Sequence, residues 1–153
     1  MADEAGIGEN GIEISDEGPV IRALVRLGAC PPGRALAAFT DPAVLAGWWG
    51  GVLTADLAPG GEYTVAFPAI PATLTGRVVG YVPASSLEFS WSWDGQRPDS
   101  AVAIRVNAGP GEQTTLVIEH GPHSDDADGR TAHAEHWAGW EFFLPKLRSL
   151  LAE

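Results

Sequence analysis

The chain has few basic residues, one cysteine and no long apolar run, and each shortage excludes a class of protein. Nine basic residues against 20 acidic ones give a formal net charge of -11, which excludes a surface for nucleic acid or for an anionic membrane. A single cysteine, Cys30, excludes an internal disulfide. No apolar run reaches the roughly 18 residues that span a bilayer, and no charged and then apolar leader is visible. We therefore predict a cytoplasmic protein.

Motifs of several enzyme classes are also missing. The chain contains no G-x-S-x-G nucleophile elbow and no P-loop, and its two Gly-Gly pairs fit turns. All four histidines fall within one short C-terminal stretch: His120, His123, His133 and His136. Two of them lie one helical turn apart beside an acidic loop, which is a weak zinc signal. We predict no metal site and no cofactor.

Residues 130–152 form the only long stretch with helical apolar spacing. Its large apolar residues lie on one stripe: Trp140, Leu144, Leu147 and Leu151, widened by Trp137 and Phe143. A stripe of this size must be covered by other elements, because a helix on the surface needs a narrower apolar face. The spacing therefore predicts a long helix around which a sheet is wrapped.

Alternating apolar and polar residues predict strands over most of the remaining chain. The clearest strand is 86–93, where four apolar residues alternate with four polar ones. Further strands are predicted at 20–27, 52–57, 62–67, 73–82, 101–107 and 114–120. Two short helices are predicted at 34–39 and 42–49, the second capped by Asp41 with Pro42 at its first position. This order predicts an α+β fold with an antiparallel sheet and its helices on one face.

The first seventeen residues differ in composition from the rest. They hold six acidic residues and no basic one. Such a composition is typical of a disordered segment. We predict an acidic tail over residues 1–17 and a single domain over residues 18–153.

Short motifs in a fixed order resemble a known family. They are Thr40-Asp41-Pro42, Trp48-Trp49-Gly50, Gly60-Gly61-Glu62-Tyr63, Phe89-Ser90-Trp91, Leu116-x-Ile118-x-His120 and His136-x-x-Gly139-Trp140. Together they resemble the branch related to the activator of Hsp90 ATPase within the helix-grip superfamily, often labelled SRPBCC, which includes START domains and the birch pollen allergen. The chain departs from the family pattern at Gly80 and Ser86. The resemblance implies a sheet of six to seven antiparallel strands curved around the long C-terminal helix, with two short helices after the first strand.

In a fold of this kind the concave face of the sheet and the long helix enclose a cavity. Inward-facing residues are then both core and candidate ligand wall. We predict the following lining: Trp49, Tyr63, Phe67, Phe89, Trp91, Trp93, His120, Trp137 and Trp140. Any one of these side chains could simply fill the core. Six tryptophans directed mostly at one interior favour an apolar or aromatic small molecule as the partner.

Three functions remain open on the sequence. The leading one is a binding or carrier protein for a hydrophobic or aromatic small molecule, since no catalytic set is visible. A cyclase or aromatase is the second, with His120 or Tyr63 as the weak candidates for proton transfer. The third is a chaperone adaptor or stress-response protein that resembles the Hsp90 activators and uses a surface rather than the cavity. Whether the chain forms a homodimer is left open.

Overall fold

Eight antiparallel strands form one sheet in the computed structural model, which describes residues 11–94, 100–109 and 113–152. The strands are β1 (Ile12–Glu17), β2 (Val20–Gly28), β3 (Val52–Ala55), β4 (Glu62–Phe67), β5 (Ala72–Val82), β6 (Ser86–Trp93), β7 (Ser100–Ala108) and β8 (Thr114–Gly121). Their order across the sheet is β1-β2-β8-β7-β6-β5-β4-β3. All seven strands that the alternation predicted are present, and the eighth is β1.

Three helices accompany the sheet among the described residues. The two short ones are α1 (Pro32–Thr40) and α2 (Pro42–Trp49), and the long one is α3 (Ala127–Leu151). The carboxylate of Asp41 accepts a hydrogen bond from the backbone N–H of Ala43 at 2.9 Å, as expected for the cap of α2. Gly50 ends α2 in the left-handed conformation that glycine adopts readily. The α+β helix-grip architecture is therefore confirmed.

The core lies between the sheet and the apolar stripe of α3. Trp140, Leu144, Leu147 and Leu151 are all buried there, and α3 also contacts α1, α2 and β2. The sheet and the two short helices thus cover the broad apolar stripe of α3, as its width required. Among the described residues, no helix combines the length and the apolar character needed to cross a membrane.

The predicted acidic tail needs a correction. Residues 12–17 form strand β1, which pairs with β2 from Ile12 opposite Val25 to Glu17 opposite Val20. An edge strand tolerates charge because one of its sides is open to solvent, so acidic composition did not prevent strand formation. The prediction of disorder was therefore wrong for residues 12–17, and residues 1–10 lie outside the described residues.

Candidate functional site

A cavity of about 450 Å³ lies between α3 and the sheet. Its wall comes from the end of α2, from β4 and the turn after it, from β6, and from one face of α3. The lining residues are Trp49, Gly50, Phe67, Ala69, Ile70, Trp91, Trp93, Glu135, His136, Gly139, Trp140, Phe142 and Phe143. Most of these side chains are aromatic, so the wall is mainly apolar. We call this space the aromatic cavity.

Trp49 joins the walls of the aromatic cavity. Its ring centroid lies 5.6 Å from that of Phe67 on β4, 6.0 Å from that of Trp91 on β6 and 5.8 Å from that of Trp140 on α3. On its other side it stacks on Trp48 at 4.9 Å. Because α2 ends immediately after Trp49, the ring is held at the point where helix and sheet meet.

Five of the nine predicted lining residues border the aromatic cavity: Trp49, Phe67, Trp91, Trp93 and Trp140. Tyr63 and Phe89 stack on each other at 4.0 Å within the core, outside the cavity's lining. The Tyr63 hydroxyl donates a hydrogen bond to the carbonyl of Phe39 at 2.6 Å, and burial raises the pKa of Tyr63. Trp137 lies beside His133, also away from the lining.

His120 is fully buried and is bonded to the protein through both ring nitrogens. Its Nδ1 accepts a hydrogen bond from Nε1 of Trp140 at 3.1 Å, and its Nε2 lies 3.0 Å from the hydroxyl oxygen of Ser100. Because Nδ1 accepts, Nε2 carries the proton and donates. His120 therefore fixes the ring of Trp140 through a hydrogen bond. Neither of its ring nitrogens is left for proton transfer in the aromatic cavity.

Two further histidines continue this buried cluster. His136 stacks on His120 with ring centroids 4.2 Å apart, and its Nδ1 lies 2.9 Å from Nε2 of His123. The Nδ1 of His123 lies 2.9 Å from the carbonyl oxygen of Pro19, which can only accept. His123 therefore carries a proton on Nδ1, and in its uncharged form Nε2 accepts, so that Nδ1 of His136 is the donor. This assignment leaves the lone pair of His136 at Nε2.

Burial keeps His120 and His136 neutral near pH 7. Burial lowers the pKa of His136 to about 4, helped by the nearby His123 and His133. Burial also lowers the pKa of His120 well below its usual 6.5, with the other histidines adding to the effect. A neutral His136 can accept a hydrogen bond, whereas an imidazolium cannot.

His123 borders an open polar groove of about 560 Å³, whereas its hydrogen-bond partner His136 borders the aromatic cavity. The groove is lined by Asp16, Gly18, Pro19, His123, Ser124, Asp125, Gly129, Arg130 and His133. The Nε2 of His133 lies 3.9 Å from a carboxylate oxygen of Asp16 on β1. Strand β1, which was not predicted from the sequence, therefore forms part of the wall of the polar groove.

Three of the histidines are close enough to hold one metal ion. The nearest ring nitrogens of His120, His123 and His136 all lie within 4.8 Å of one another. Imidazole nitrogens are ligands that zinc prefers. Five of their six ring nitrogens already have hydrogen-bond partners in the protein, however. An ion would have to displace several of these bonds.

Sequence reasoning missed His136 and His123 as members of the site. His136 lies four residues before Trp140 and so extends the buried stripe of α3 by one turn, which was a usable signal. His123 lies in the loop between β8 and α3, where no periodicity predicts the direction of a side chain. Its position depends on the contact with Pro19, 104 residues away.

Comparisons with known proteins agree with this architecture. The profile of the activator of Hsp90 ATPase homolog 1-like protein family matches residues 29–152. No curated protein matches the chain significantly. DynU16, a protein in the dynemicin biosynthetic locus, is 27% identical with a TM-score of 0.74, over 88% of this chain and 48% of DynU16. The chain thus spans about half the length of DynU16.

Two other solved structures show the same fold at lower identity. CalU16 from Micromonospora echinospora is 23% identical with a TM-score of 0.66, over 89% of this chain and 78% of its own. A protein from Rhodobacter sphaeroides is 24% identical with a TM-score of 0.71, over 93% of this chain and 98% of its own. A fold of this type supports a ligand-binding or a cyclase-type role.

Proposed function

Because the chain belongs to the activator of Hsp90 ATPase homolog 1-like family, whose fold encloses a cavity here, we propose that it binds a hydrophobic or aromatic small molecule in the aromatic cavity. The observation that carries this proposal is the cavity itself, about 450 Å³ and walled mainly by aromatic rings. A volume in this range is typical of pockets for small ligands. DynU16, a similar protein in a biosynthetic locus, is consistent with a small-molecule role.

The wall favours an uncharged ligand. Glu135 is the one acidic side chain among the described lining residues, and the chain carries a net charge of -11. No lysine or arginine of the described residues borders the cavity, so an anionic ligand would find no opposite charge. Neutral planar molecules can stack on Trp49, Trp91 and Trp140 and remove apolar surface from water.

A cyclase is the second candidate, and one observation favours it. His136 borders the cavity and keeps an unprotonated Nε2, so it can serve as a general base where the predicted His120 and Tyr63 cannot. The chaperone adaptor receives less support. A surface function needs no open interior, whereas the aromatic cavity is open.

Filling the cavity tests the proposal. Gly139 lines it on α3, and a Cβ added there would meet no atom within 4 Å. Gly139→Leu should block the cavity without loss of stability, since leucine favours a helix more than glycine does. Binding of prodan, a neutral naphthalene dye whose emission shifts to the blue in apolar surroundings, should weaken at least about tenfold.

Gly139→Ala is the matched control, because a single methyl group fills little of the space. It should bind prodan nearly as well as the parent protein does. Native mass spectrometry of the freshly purified chain should also detect a bound neutral molecule that is lost from Gly139→Leu. Equal prodan binding by the parent and Gly139→Leu would refute the cavity as the binding site.

A further inference from the structure

The free ring nitrogen of His136 faces the aromatic cavity. Nδ1 of His136 lies 2.9 Å from Nε2 of His123, whereas no described residue offers Nε2 of His136 a hydrogen bond. This nitrogen also keeps some accessible surface, because Nε1 of Trp91 is the sole fully buried side-chain polar atom without a partner among the described residues. His136 lines the aromatic cavity and does not line the polar groove. The accessible surface of Nε2 therefore belongs to the cavity.

His123 holds the other nitrogen of His136 from the side of the polar groove. The backbone N–H and Nδ1 of His123 both lie 2.9 Å from the carbonyl oxygen of Pro19, which fixes the ring with Nε2 directed at His136. His120 stacks on the ring of His136 with centroids 4.2 Å apart. The two rings are therefore preorganised, and together they connect the polar groove with the aromatic cavity.

The hydrogen bond between the two rings determines what His136 offers to the cavity. A neutral imidazole has one N–H donor and one acceptor, and burial keeps His136 neutral near pH 7. When Nε2 of His123 accepts, the proton of His136 lies on Nδ1, so its Nε2 is an acceptor toward the cavity. When position 123 offers a donor instead, the proton must lie on Nε2 of His136, which then donates to the cavity.

We propose that His123 sets the hydrogen-bond character of the cavity wall from outside the cavity. With uncharged His123, the cavity selects a neutral aromatic molecule that donates a hydrogen bond to Nε2 of His136; with a cation at position 123, it selects one that accepts. This inference rests on the proposed function and adds the class of the ligand. His123 is a positioning residue, since it acts through His136.

The polar groove can accommodate a cation at position 123. Its wall carries two carboxylates and one guanidinium, those of Asp16, Asp125 and Arg130. A lysine ammonium has three donors and no acceptor, so it can bond the carbonyl of Pro19 and also donate to Nδ1 of His136. The backbone bond from position 123 to Pro19 remains and keeps the new side chain directed at His136. His123→Lys should therefore move the proton of His136 from Nδ1 to Nε2.

The ring ¹⁵N resonances of His136 report the position of this proton, because protonated and unprotonated imidazole nitrogens resonate in separate ranges. At pH 7 we expect Nδ1 to be protonated in the unmodified protein and Nε2 in His123→Lys. A proton on Nε2 of the unmodified protein would overturn the proposal without the need for any variant. A proton that stays on Nδ1 in folded His123→Lys would overturn it as well.

Indole and quinoline test the consequence for binding. Both are fused bicyclic molecules that are neutral at pH 7, but indole offers only an N–H donor and quinoline only a nitrogen acceptor. Isothermal titration should show that the unmodified protein prefers indole and that His123→Lys prefers quinoline. Since one hydrogen bond is lost and another is gained, we expect the ratio of the two affinities to change at least about tenfold.

His133→Lys is the matched control. It places the same cation in the same groove, but no hydrogen bond joins the two described residues His133 and His136. It should therefore leave the proton of His136 on Nδ1 and the preference for indole intact. An equal change of preference in both lysine variants would mean that charge in the groove, and not the bond from position 123, controls the cavity.

Naphthalene, which neither donates nor accepts, separates this inference from the function on which it rests. If naphthalene, indole and quinoline all bind but the ratio of indole to quinoline affinity is the same in the unmodified protein and in His123→Lys, control by His123 is refuted while the aromatic cavity stands. If none of the three molecules binds to the unmodified protein, the proposed function fails as well.

Discussion

Trp140 is the residue on which core and cavity depend together. It is 4% exposed, borders the aromatic cavity and donates its Nε1–H to His120. Trp140→Ala should lower the free energy of unfolding by about 3 to 5 kcal/mol, because it leaves a void and removes the partner of a buried imidazole. Chemical denaturation with urea measures this loss.

Phe142 provides the control for that substitution. It lies two residues further along α3 but is 60% exposed. Phe142→Ala should change the free energy of unfolding by less than about 1 kcal/mol. A denaturation midpoint that is the same for Trp140→Ala and the parent protein would mean that the sheet does not hold the helix.

The buried histidines should make the protein sensitive to mild acid. The pKa of His136 is about 4 when folded and 6.5 when exposed, so between these values the unfolded chain binds a proton that the folded protein does not. The free energy of unfolding should therefore be highest above pH 6.5 and fall as the pH decreases, by about 2 kcal/mol from His136 alone at pH 5. His120, whose pKa is also lowered, acts in the same direction.

Urea denaturation at several values between pH 7 and pH 5 measures this slope, in a range where most carboxylates remain ionised. His136→Phe removes one titrating group and should flatten the slope. A free energy of unfolding that stays constant from pH 7 to pH 5 would contradict the burial of neutral histidines.

For single residues, the sequence could predict which side chains point inward, but not which of them line the aromatic cavity. The strict alternation of β6 placed Phe89 and Trp91 on the same buried face, and both are buried. Of these two residues, Trp91 borders the aromatic cavity and Phe89 does not, because Tyr63 covers the ring of Phe89. Periodicity reports the side of a strand, whereas contact with a cavity depends on the neighbouring strand and helix.

Among the elements, β5 contains a glycine that the pairing of strands requires. A Cβ added at Gly76 would lie in contact with the backbone oxygen of Ser90 on β6. Backbone atoms cannot move aside as a flexible side chain can, so Gly76→Ala should separate the two strands locally. We expect a loss of about 3 kcal/mol or more in the free energy of unfolding, measured by urea denaturation.

Gly80 on the same strand is the matched control. A Cβ there would meet no atom within 4 Å, and its backbone does not adopt the left-handed conformation. Gly80→Ala should therefore stay within about 0.5 kcal/mol of the parent protein. Equal stability of the two alanine variants would show that β5 and β6 do not pair in this register.

Long periodic elements were predictable, and the edge strand was not. Helix α3 and strand β6 carry their periods over many residues, so their existence follows from local pattern alone. Strand β1 has only Ile12 and Ile14 to mark its alternation, beside three acidic residues. Its stability comes from pairing with β2, a contact that composition cannot reveal.

For the whole molecule, the fold could be predicted from the order of the elements and from the motifs. The positions of the buried histidines could not, because they depend on contacts between residues distant in sequence. His123, the turn before β2 and the N-terminal half of α3 meet only because the sheet brings Pro19 beside the loop after β8. No local signal in the sequence describes that meeting. A site assembled from four elements is therefore less predictable than the sheet that carries it.

The central claim is that ligands enter the aromatic cavity, and the indole N–H resonances of the six tryptophans test it most directly. In a ¹H–¹⁵N spectrum recorded during titration with prodan, the resonances of Trp49, Trp91, Trp93 and Trp140 should shift together, since all four line the cavity. Trp137, which lies beside His133 outside the lining, should change least. Shifts confined to Trp137, with the four cavity tryptophans unchanged at saturation, would contradict the account.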